Sequence, residues 1–277
     1  MASCIRLHSV IAPKTHAVAV SIGGTVIALR TTSADFCKLL ERRYGHFVVS
    51  PSAPDFEFVI ELAQPFGAER LDDDVRVWCE LDTWFFERGD LRAQWDPQAR
   101  QGTMTHLPNV FAVDAILRIT HTLLLAGRGG FLLHAASAIR HGRAFLFAGV
   151  SGAGKTTIAR LAPPAVTLLT DEVSYVSQVR DSYRAYGTPF AGELATIGEN
   201  QRAPIAALYL LEKAQENRVE PVADADAMHA VLRNTLFFAR EPRLVARLFD
   251  NACHFVERVP VRRLCFVPDA HVWELIQ

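Results

Sequence analysis

The N-terminal part of the chain alternates short apolar runs with polar and glycine breaks. Two apolar runs, at residues 16–22 and 25–29, flank Gly23-Gly24, and this pattern predicts a β-hairpin. The next segment repeats apolar residues at the spacing of one helix face, with Ser33 placed to cap its start and Gly45 placed to end it. The predicted apolar stripe of this helix consists of Phe36, Leu39, Leu40 and Tyr44.

Four later runs, DFEFVIELA, VRVWCEL, TWFFERG and LRAQWDP, are separated by Asp, Gly and Pro breaks. Alternation of apolar and polar positions is typical of strands with one buried face, so we expect an antiparallel sheet across residues 55–107. Residues 1–107 are therefore predicted to form a small α+β domain.

The pattern changes after residue 107. Residues 108–127 are apolar around most of the helix circumference and are expected to form a buried connecting helix. The runs GFLLHAASAI, AFLFAGV, AVTLLTDEV and AALYLLE then have the character of buried strands. A helical segment separates the second run from the third, as in a βαβ unit. We therefore predict an α/β domain over residues 128–277.

Composition narrows the classes of function. Half of the 277 residues are hydrophobic and 21% are charged, so the chain can bury a sizeable core. The net charge of -1 provides no basic excess for nucleic acid or for an anionic membrane surface. The five cysteines form no C-x-x-C pair, and no segment approaches about 18 consecutive apolar residues. We expect a cytoplasmic protein that binds neither nucleic acid nor membrane.

The segment FLFAGVSGAGKTTIARL carries the strongest chemical signal. It satisfies the pattern G-x-x-x-x-G-K-S/T between an apolar strand and a helix, which random order would give in roughly one chain in a thousand. Glycines let backbone N–H groups approach phosphate oxygens, Lys155 would bridge the β- and γ-phosphates, and Thr156 offers a hydroxyl to Mg²⁺. A structural turn is the alternative interpretation. The predicted nucleotide-binding residues are Gly149, Ser151, Gly152, Ala153, Gly154, Lys155, Thr156 and Thr157.

Two carboxylates follow at the end of the next apolar run. In LLTDEV, Asp171 and Glu172 lie 16 and 17 residues beyond Lys155. A strand that ends there would bring both carboxylates beside a triphosphate, where one can help hold Mg²⁺ and the other can take the proton of an attacking hydroxyl. The alternative is a carboxylate pair that caps a turn. His134 lies in an apolar run, where a histidine is more often a core residue than a catalytic one.

Three features in this order, LLHAASAI, GVSGAGKTT and LLTDEV, resemble the catalytic domain of HPr kinase/phosphorylase and its relatives. The resemblance covers the chain from about residue 128 and implies a P-loop kinase fold of the HPr kinase and phosphoenolpyruvate carboxykinase type. It implies ATP and Mg²⁺ as cofactors and His134 as an active-site histidine. Asp171 and Glu172 fall on the family's acidic pair, which implies that the pair supplies the catalytic base and a metal ligand. Relatives of this type are often oligomers, so a homo-oligomer remains open.

The sequence also departs from the HPr kinase pattern. Glu172 replaces a second Asp, Thr156 stands where these kinases usually have Ser, and the glycine-rich signature of the bifunctional enzyme is not found after the acidic pair. These departures leave open whether the resemblance extends to reverse phosphorylase activity and to HPr as the substrate. The segment YGTPFAGE, Tyr186 to Glu193, instead resembles the divergent branch that includes lasso-peptide kinases. By its residues alone it is either a turn or a loop that contacts substrate or phosphate.

The leading hypothesis is an ATP- and Mg²⁺-dependent kinase that phosphorylates a Ser or Thr hydroxyl of a peptide or protein, such as a lasso peptide precursor. The N-terminal domain would bind the acceptor or an oligomer partner. A kinase for a small hydroxylated metabolite and a nucleotide-gated binding or assembly module are the alternatives. The predicted catalytic residues are Asp171, Glu172, His134 and Lys155, the metal ligands are Thr156 and Glu172, and the arginines considered for the transition state are Arg184, Arg202, Arg218 and Arg233.

Overall fold

The fold was taken from a computed structural model that describes residues 14–63, 74–192 and 198–277. Within these ranges the chain forms two β-sheets and five α-helices, which confirms the predicted α/β class. Cys4 and the end of the segment YGTPFAGE, Glu193, lie outside the described residues. None of the described helices is both long and apolar enough to cross a membrane.

In its described residues, the N-terminal half contains eight strands and one α-helix, which are β1 His16–Ile22, β2 Thr25–Thr31, α1 Ala34–Tyr44, β3 Val48–Val49, β4 Phe56–Leu62, β5 Arg76–Glu80, β6 Thr83–Arg88, β7 Leu91–Asp96 and β8 Gln101–His106. Its eight strands form the first sheet, in the order β3-β1-β2-β4-β8-β7-β6-β5. The predicted hairpin is present as β1 and β2, and the predicted helix follows it as α1.

Helix α1 begins and ends where its sequence predicts. The Ser33 hydroxyl accepts a hydrogen bond from the Phe36 N–H at 3.2 Å, and Gly45 follows the helix with a φ of +48°. One member of the predicted stripe is wrong, because Leu39 is 37% exposed while Cys37 is buried. Cys37 lies three residues before Leu40 on the same helix face, whereas Leu39 lies at the edge of that face.

The expectation of an antiparallel sheet holds for β5 to β8 and fails for β4. Strand β4 pairs in parallel with β2 on one side and with β8 on the other. The chain passes from β2 to β4 through α1, and a helical crossover allows the second strand to run in the same direction as the first. Alternation along one strand reports its buried face and carries no information on the direction of its neighbours.

The second sheet has nine strands arranged around β9. Strand β9 pairs antiparallel with β10, β11, β12 and β16. Strands β10 and β11 therefore run parallel, as the βαβ pattern predicts, but β9 lies between them. The elements of this half are α2 Val110–Ala126, β9 Phe131–Arg140, β10 Arg143–Ala148, α3 Lys155–Arg160, β11 Thr167–Thr170, β12 Val173–Val179, β13 Ser182–Tyr186, β14 Arg202–Lys213, β15 Arg218–Pro221, α4 Asp224–Asn234, β16 Thr235–Leu236, α5 Pro242–Arg258 and β17 Val261–Phe266.

Helix α2 and the tip of the first hairpin pack against the second sheet. Most of α2 is buried, and most of its apolar residues belong to one hydrophobic cluster that also includes Phe58 of the first sheet and Tyr175 of the second. At Gly23, an added Cβ would lie only 2.2 Å from the Tyr175 ring. The two sheets therefore share buried surface, and the division into domains 1–107 and 128–277 stays a prediction.

Candidate functional site

The glycine-rich loop connects the end of β10 to the start of α3. Gly152 and Gly154 have φ values of +76° and +113°, a region that residues with a Cβ rarely adopt. A Cβ at Gly154 would also lie 2.5 Å from the Phe266 ring of β17. The glycines are therefore required by backbone conformation and by close packing.

Hydrogen bonds hold the loop closed on itself. The Ala153 N–H donates to the Val150 carbonyl at 3.0 Å, and the Lys155 ammonium donates to the Gly149 carbonyl at 3.0 Å. Helix α3 has only six residues, so its dipole is small. The Lys155 ammonium is therefore the main positive charge that the loop itself supplies.

The acidic pair occupies an interruption between two strands that share one neighbour. Strands β11 and β12 both run along β9, where Thr170 is opposite Ser137 and Val173 is opposite His134. Asp171 and Glu172 lie between them, outside the ladder. The Thr170 hydroxyl accepts from the N–H groups of Glu172 at 3.2 Å and Val173 at 3.3 Å, which fixes the interruption. This register also explains why His134 lies beside the acidic pair.

The segment after β13 reaches the same place. Asp171 is 3% exposed, and its Oδ1 accepts a hydrogen bond from the Gly192 N–H at 2.9 Å. A Cβ at Gly192 would lie 2.9 Å from the Glu172 Cβ and 3.0 Å from the Asp171 Oδ2. The buried Thr188 hydroxyl donates to the Val173 carbonyl at 2.7 Å and so anchors this segment to β12. Of the two interpretations of YGTPFAGE, a turn or a loop near the site, this geometry favours the loop near the site.

Glu172 has a basic partner that the sequence reasoning missed. The Arg118 guanidinium of α2 donates to Glu172 Oε2 at 3.2 Å, and its centre lies 4.9 Å from the centre of the Phe190 ring. The available signal was a positive charge inside a helix that is otherwise mostly buried and apolar. Hydrophobic periodicity assigned that helix to the core and gave no reason to connect it with residue 172.

A cavity of about 220 Å³ gathers most of the predicted site residues. Two predicted loop residues do not line it: Gly149 contacts Lys155 through its carbonyl, and Ala153 is buried in the loop. The cavity is lined by His134, Ser151, Gly152, Gly154, Lys155, Thr156, Thr157, Asp171, Glu172 and Gly192. A larger cavity of about 680 Å³ beside β5 shares no residue with it and contains neither the lysine nor the acidic pair.

The four arginines considered from the sequence do not line this cavity, as far as the described residues show. Arg184 lies on β13, Arg202 begins β14, and Arg233 is in the last turn of α4. Arg218 contacts Glu216 and Glu220. Arg118 is instead the arginine that contacts the acidic pair, because α2 packs along β9, the strand with which both β11 and β12 pair.

The electrostatics of the cavity favour a neutral imidazole. Burial lowers the pKa of His134, and the positive charges of Lys155 and Arg118 lower it further. Within the described ranges, no group of three or more His, Cys, Asp or Glu side chains is placed to hold a metal ion. The side-chain oxygens that the cavity does offer are the carboxylates of Asp171 and Glu172 and the hydroxyls of Ser151, Thr156 and Thr157.

The chain is similar to known proteins over the part that contains the cavity. A protein-family model described as SynChlorMet cassette protein ScmC matches residues 109–277. No curated protein matches the chain. Among solved structures, the HPr(Ser) kinase/phosphatase from Coxiella burnetii matches at 12% identity, with 52% of this chain and 89% of that chain covered and a TM-score of 0.27. At so low a TM-score, this match carries no argument about the fold or the site.

Proposed function

Because the chain belongs to the ScmC family of SynChlorMet cassette proteins, whose description states no reaction, we propose its function from the site. We propose an ATP- and Mg²⁺-dependent kinase of the HPr-kinase-like type. It transfers the γ-phosphate to a Ser or Thr hydroxyl of a peptide or protein. The family match covers more than half of the chain and includes every residue of the cavity.

One observation carries this proposal. The loop residues Lys155 and Thr156 line a single cavity with the carboxylates of Asp171 and Glu172. Phosphoryl transfer needs a cation and amides for the phosphates, oxygen ligands for a metal ion, and a base for the attacking hydroxyl. This cavity combines all three, and it does so without requiring a covalent nucleophile.

The residues present suit a magnesium nucleotide. Mg²⁺ prefers oxygen ligands and is usually held by one or two carboxylates together with phosphates and water. Thr156 and Glu172 would hold the ion, which neutralises phosphate charge when bound. The volume of about 220 Å³ is below the roughly 300 Å³ at which pockets for drug-sized ligands begin, so it suits the phosphate chain and leaves the nucleoside outside.

Each side chain has a distinct role in the proposal. Asp171 accepts the proton of the acceptor hydroxyl, and the Gly192 N–H holds its carboxylate in place. Lys155 and the loop amides stabilise charge on the transferred group. His134, whose pKa is lowered by burial, remains neutral to lower pH and can accept a hydrogen bond from the acceptor.

The nature of the acceptor rests on the resemblance. The segment Tyr186 to Glu193 is similar to the divergent branch that includes lasso-peptide kinases, which favours a peptide acceptor. Residues 1–107 would bind that peptide or a second copy of the chain. We propose that the protein acts in the cytoplasm, without nucleic acid or membrane as a partner.

The test is to incubate the protein with γ-labelled ATP, Mg²⁺, candidate Ser/Thr peptides and small alcohols, and to find the label by mass. A labelled peptide supports the proposal, whereas label only on a small alcohol indicates a metabolite kinase. ATP-dependent partner binding without transfer would indicate a binding module. Lys155→Ala should abolish ATP binding, while Lys213→Ala, at an exposed lysine, should not. Unchanged ATP affinity in Lys155→Ala would contradict the nucleotide site itself.

A further inference from the structure

Helix α2 carries only two residues of the Asp, Glu, Lys and Arg type, and both make specific contacts. They are Asp114 and Arg118, four residues apart and thus on one face of the helix. Most of the remaining helix is buried. A charged side chain in such a helix costs free energy unless it is paired, so each contact is informative.

The contacts of Arg118 set its orientation. Its guanidinium donates to Glu172 Oε2 at 3.2 Å, and the buried Phe190 ring lies 4.9 Å from its centre. The side chain is 23% exposed, and its Nε is buried without a hydrogen-bond partner among the described residues. A planar guanidinium held between a ring and a carboxylate has little rotational freedom. The carboxylate that it contacts is restricted in turn.

Helix α2 is also tied to α1, one helical turn before Arg118. Asp114 accepts from the Arg43 guanidinium at 2.5 Å and from the Tyr44 hydroxyl at 3.0 Å, both on or at the end of α1. Burial and then the Asp114 charge raise the pKa of Tyr44, so that the phenol remains a donor. These bonds tie α2 to α1. The position of Arg118 therefore depends on contacts with the N-terminal half of the chain.

We propose that Arg118 is a positioning residue of the phosphoryl-transfer site, which holds the Glu172 carboxylate in the orientation that binds Mg²⁺. This inference rests on the proposed function. The cavity residues all lie between positions 134 and 192, so Arg118 brings a further segment of the chain into the site. Groups that orient a metal ligand typically contribute about 10-fold to 100-fold to metal affinity or activity.

The test compares Arg118→Met, Arg118→Lys and a control, Arg247→Met, which makes the same change at an exposed position of α5. The measured quantities are Mn²⁺ affinity with ATP present, followed by electron paramagnetic resonance, and ATP affinity without metal. We expect Arg118→Met to weaken Mn²⁺ binding by about 10-fold to 100-fold and to leave metal-free ATP affinity within about twofold. The Mn²⁺ affinity of Arg118→Lys should lie between those of the wild type and Arg118→Met, because lysine keeps the positive charge but lacks the planar guanidinium.

A purely structural role gives a different result. Equal losses of metal-free and metal-dependent ATP binding, or unchanged Mn²⁺ affinity in a folded Arg118→Met protein, would overturn the inference. If Arg118→Met does not fold, Arg118→Lys decides, because a positioning role requires weaker Mn²⁺ binding at unchanged metal-free ATP affinity. If the wild-type protein transfers no phosphate but Arg118→Met still weakens Mn²⁺ binding, the kinase proposal is overturned and the positioning role remains. If the wild-type protein transfers phosphate but Arg118→Met leaves Mn²⁺ affinity unchanged, the positioning role is overturned and the kinase proposal remains.

Discussion

Two dipeptides interrupt strands in the two sheets with opposite results. Gly23-Gly24 separates β1 from β2 with φ values of +61° and +81°, and the chain reverses and pairs with itself. Asp171-Glu172 separates β11 from β12, yet both strands continue along β9 in the same direction. One interruption is a turn, and the other is a gap in a continuous ladder.

The difference lies in what each interruption requires of the backbone. The hairpin needs positive φ, so glycine is favoured and no side chain is available for chemistry. Asp171 and Glu172 are not among the residues with positive φ, and the Thr170 hydroxyl accepts from the amides of Glu172 and Val173 beside the gap. A gap of this kind can carry functional side chains, and here it presents two carboxylates to a cavity.

The largest expected effect comes from removing charge at the gap. Asp171→Asn keeps an acceptor for the Gly192 N–H and loses the base, so phosphoryl transfer should fall by about 10²-fold to 10⁴-fold at similar ATP affinity. The control is Asp181→Asn, at an exposed carboxylate in the turn between β12 and β13. Steady-state kinetics and ATP titration measure both quantities. Transfer at the wild-type rate in Asp171→Asn would remove the proposed base.

The next effect is on stability and concerns the hairpin. In Gly23→Ala the new Cβ would lie 2.2 Å from the Tyr175 ring at positive φ, so the free energy of unfolding should fall by about 2 to 4 kcal/mol. Gly24→Ala also has positive φ but meets no atom within 4 Å, and should cost about 1 kcal/mol. Urea denaturation compares the two. Equal losses would show that the contact between the hairpin tip and Tyr175 contributes nothing.

A smaller effect on activity should follow a change in the loop that holds the gap. Gly192→Ala brings a Cβ within 3.0 Å of the Asp171 carboxylate, and the displacement should reduce transfer by about 10-fold to 100-fold. Gly127→Ala, whose new Cβ would lie 3.7 Å from the Leu124 carbonyl oxygen, is the control for adding a methyl group without a clash. Kinetics with unfolding curves separate misplacement from destabilisation. A Gly192→Ala enzyme with normal kinetics would mean that the acidic pair tolerates movement.

The smallest effect depends on pH and involves His121, which packs edge-on against Tyr175. Burial lowers the pKa of His121 to about 3, so the folded protein resists protonation that the unfolded chain accepts below about pH 6.5. Above that pH the difference does not affect the free energy of unfolding, and by pH 5 it lowers this free energy by about 2 kcal/mol. Between pH 7 and pH 5, the free energy of unfolding of His121→Leu should therefore fall by about 2 kcal/mol less than that of the wild type. Unfolding curves of equal pH dependence would contradict the burial argument.

Local patterns predicted the elements with short-range causes. The hairpin at Gly23-Gly24, the start and end of α1, and the extent of α2 all depend on residues within a few positions of each other. The parallel direction of β4 could not be predicted, because it depends on strands distant in sequence. Arg118 was missed for the same reason, since it lies 54 residues from its partner Glu172.

The sequence by itself determined the chemistry available at residues 149–157 and 171–172, because spacing and residue type fix which groups a loop can offer. The tertiary structure alone decided which of those groups meet. Strand β9 pairs with β10, β11 and β12, and so brings the loop, the acidic pair and His134 to one cavity. Helix α2 packs along β9 and adds Arg118, which contacts Glu172. Backbone preferences act over a few residues, whereas a site is assembled by burial and strand pairing over the whole chain.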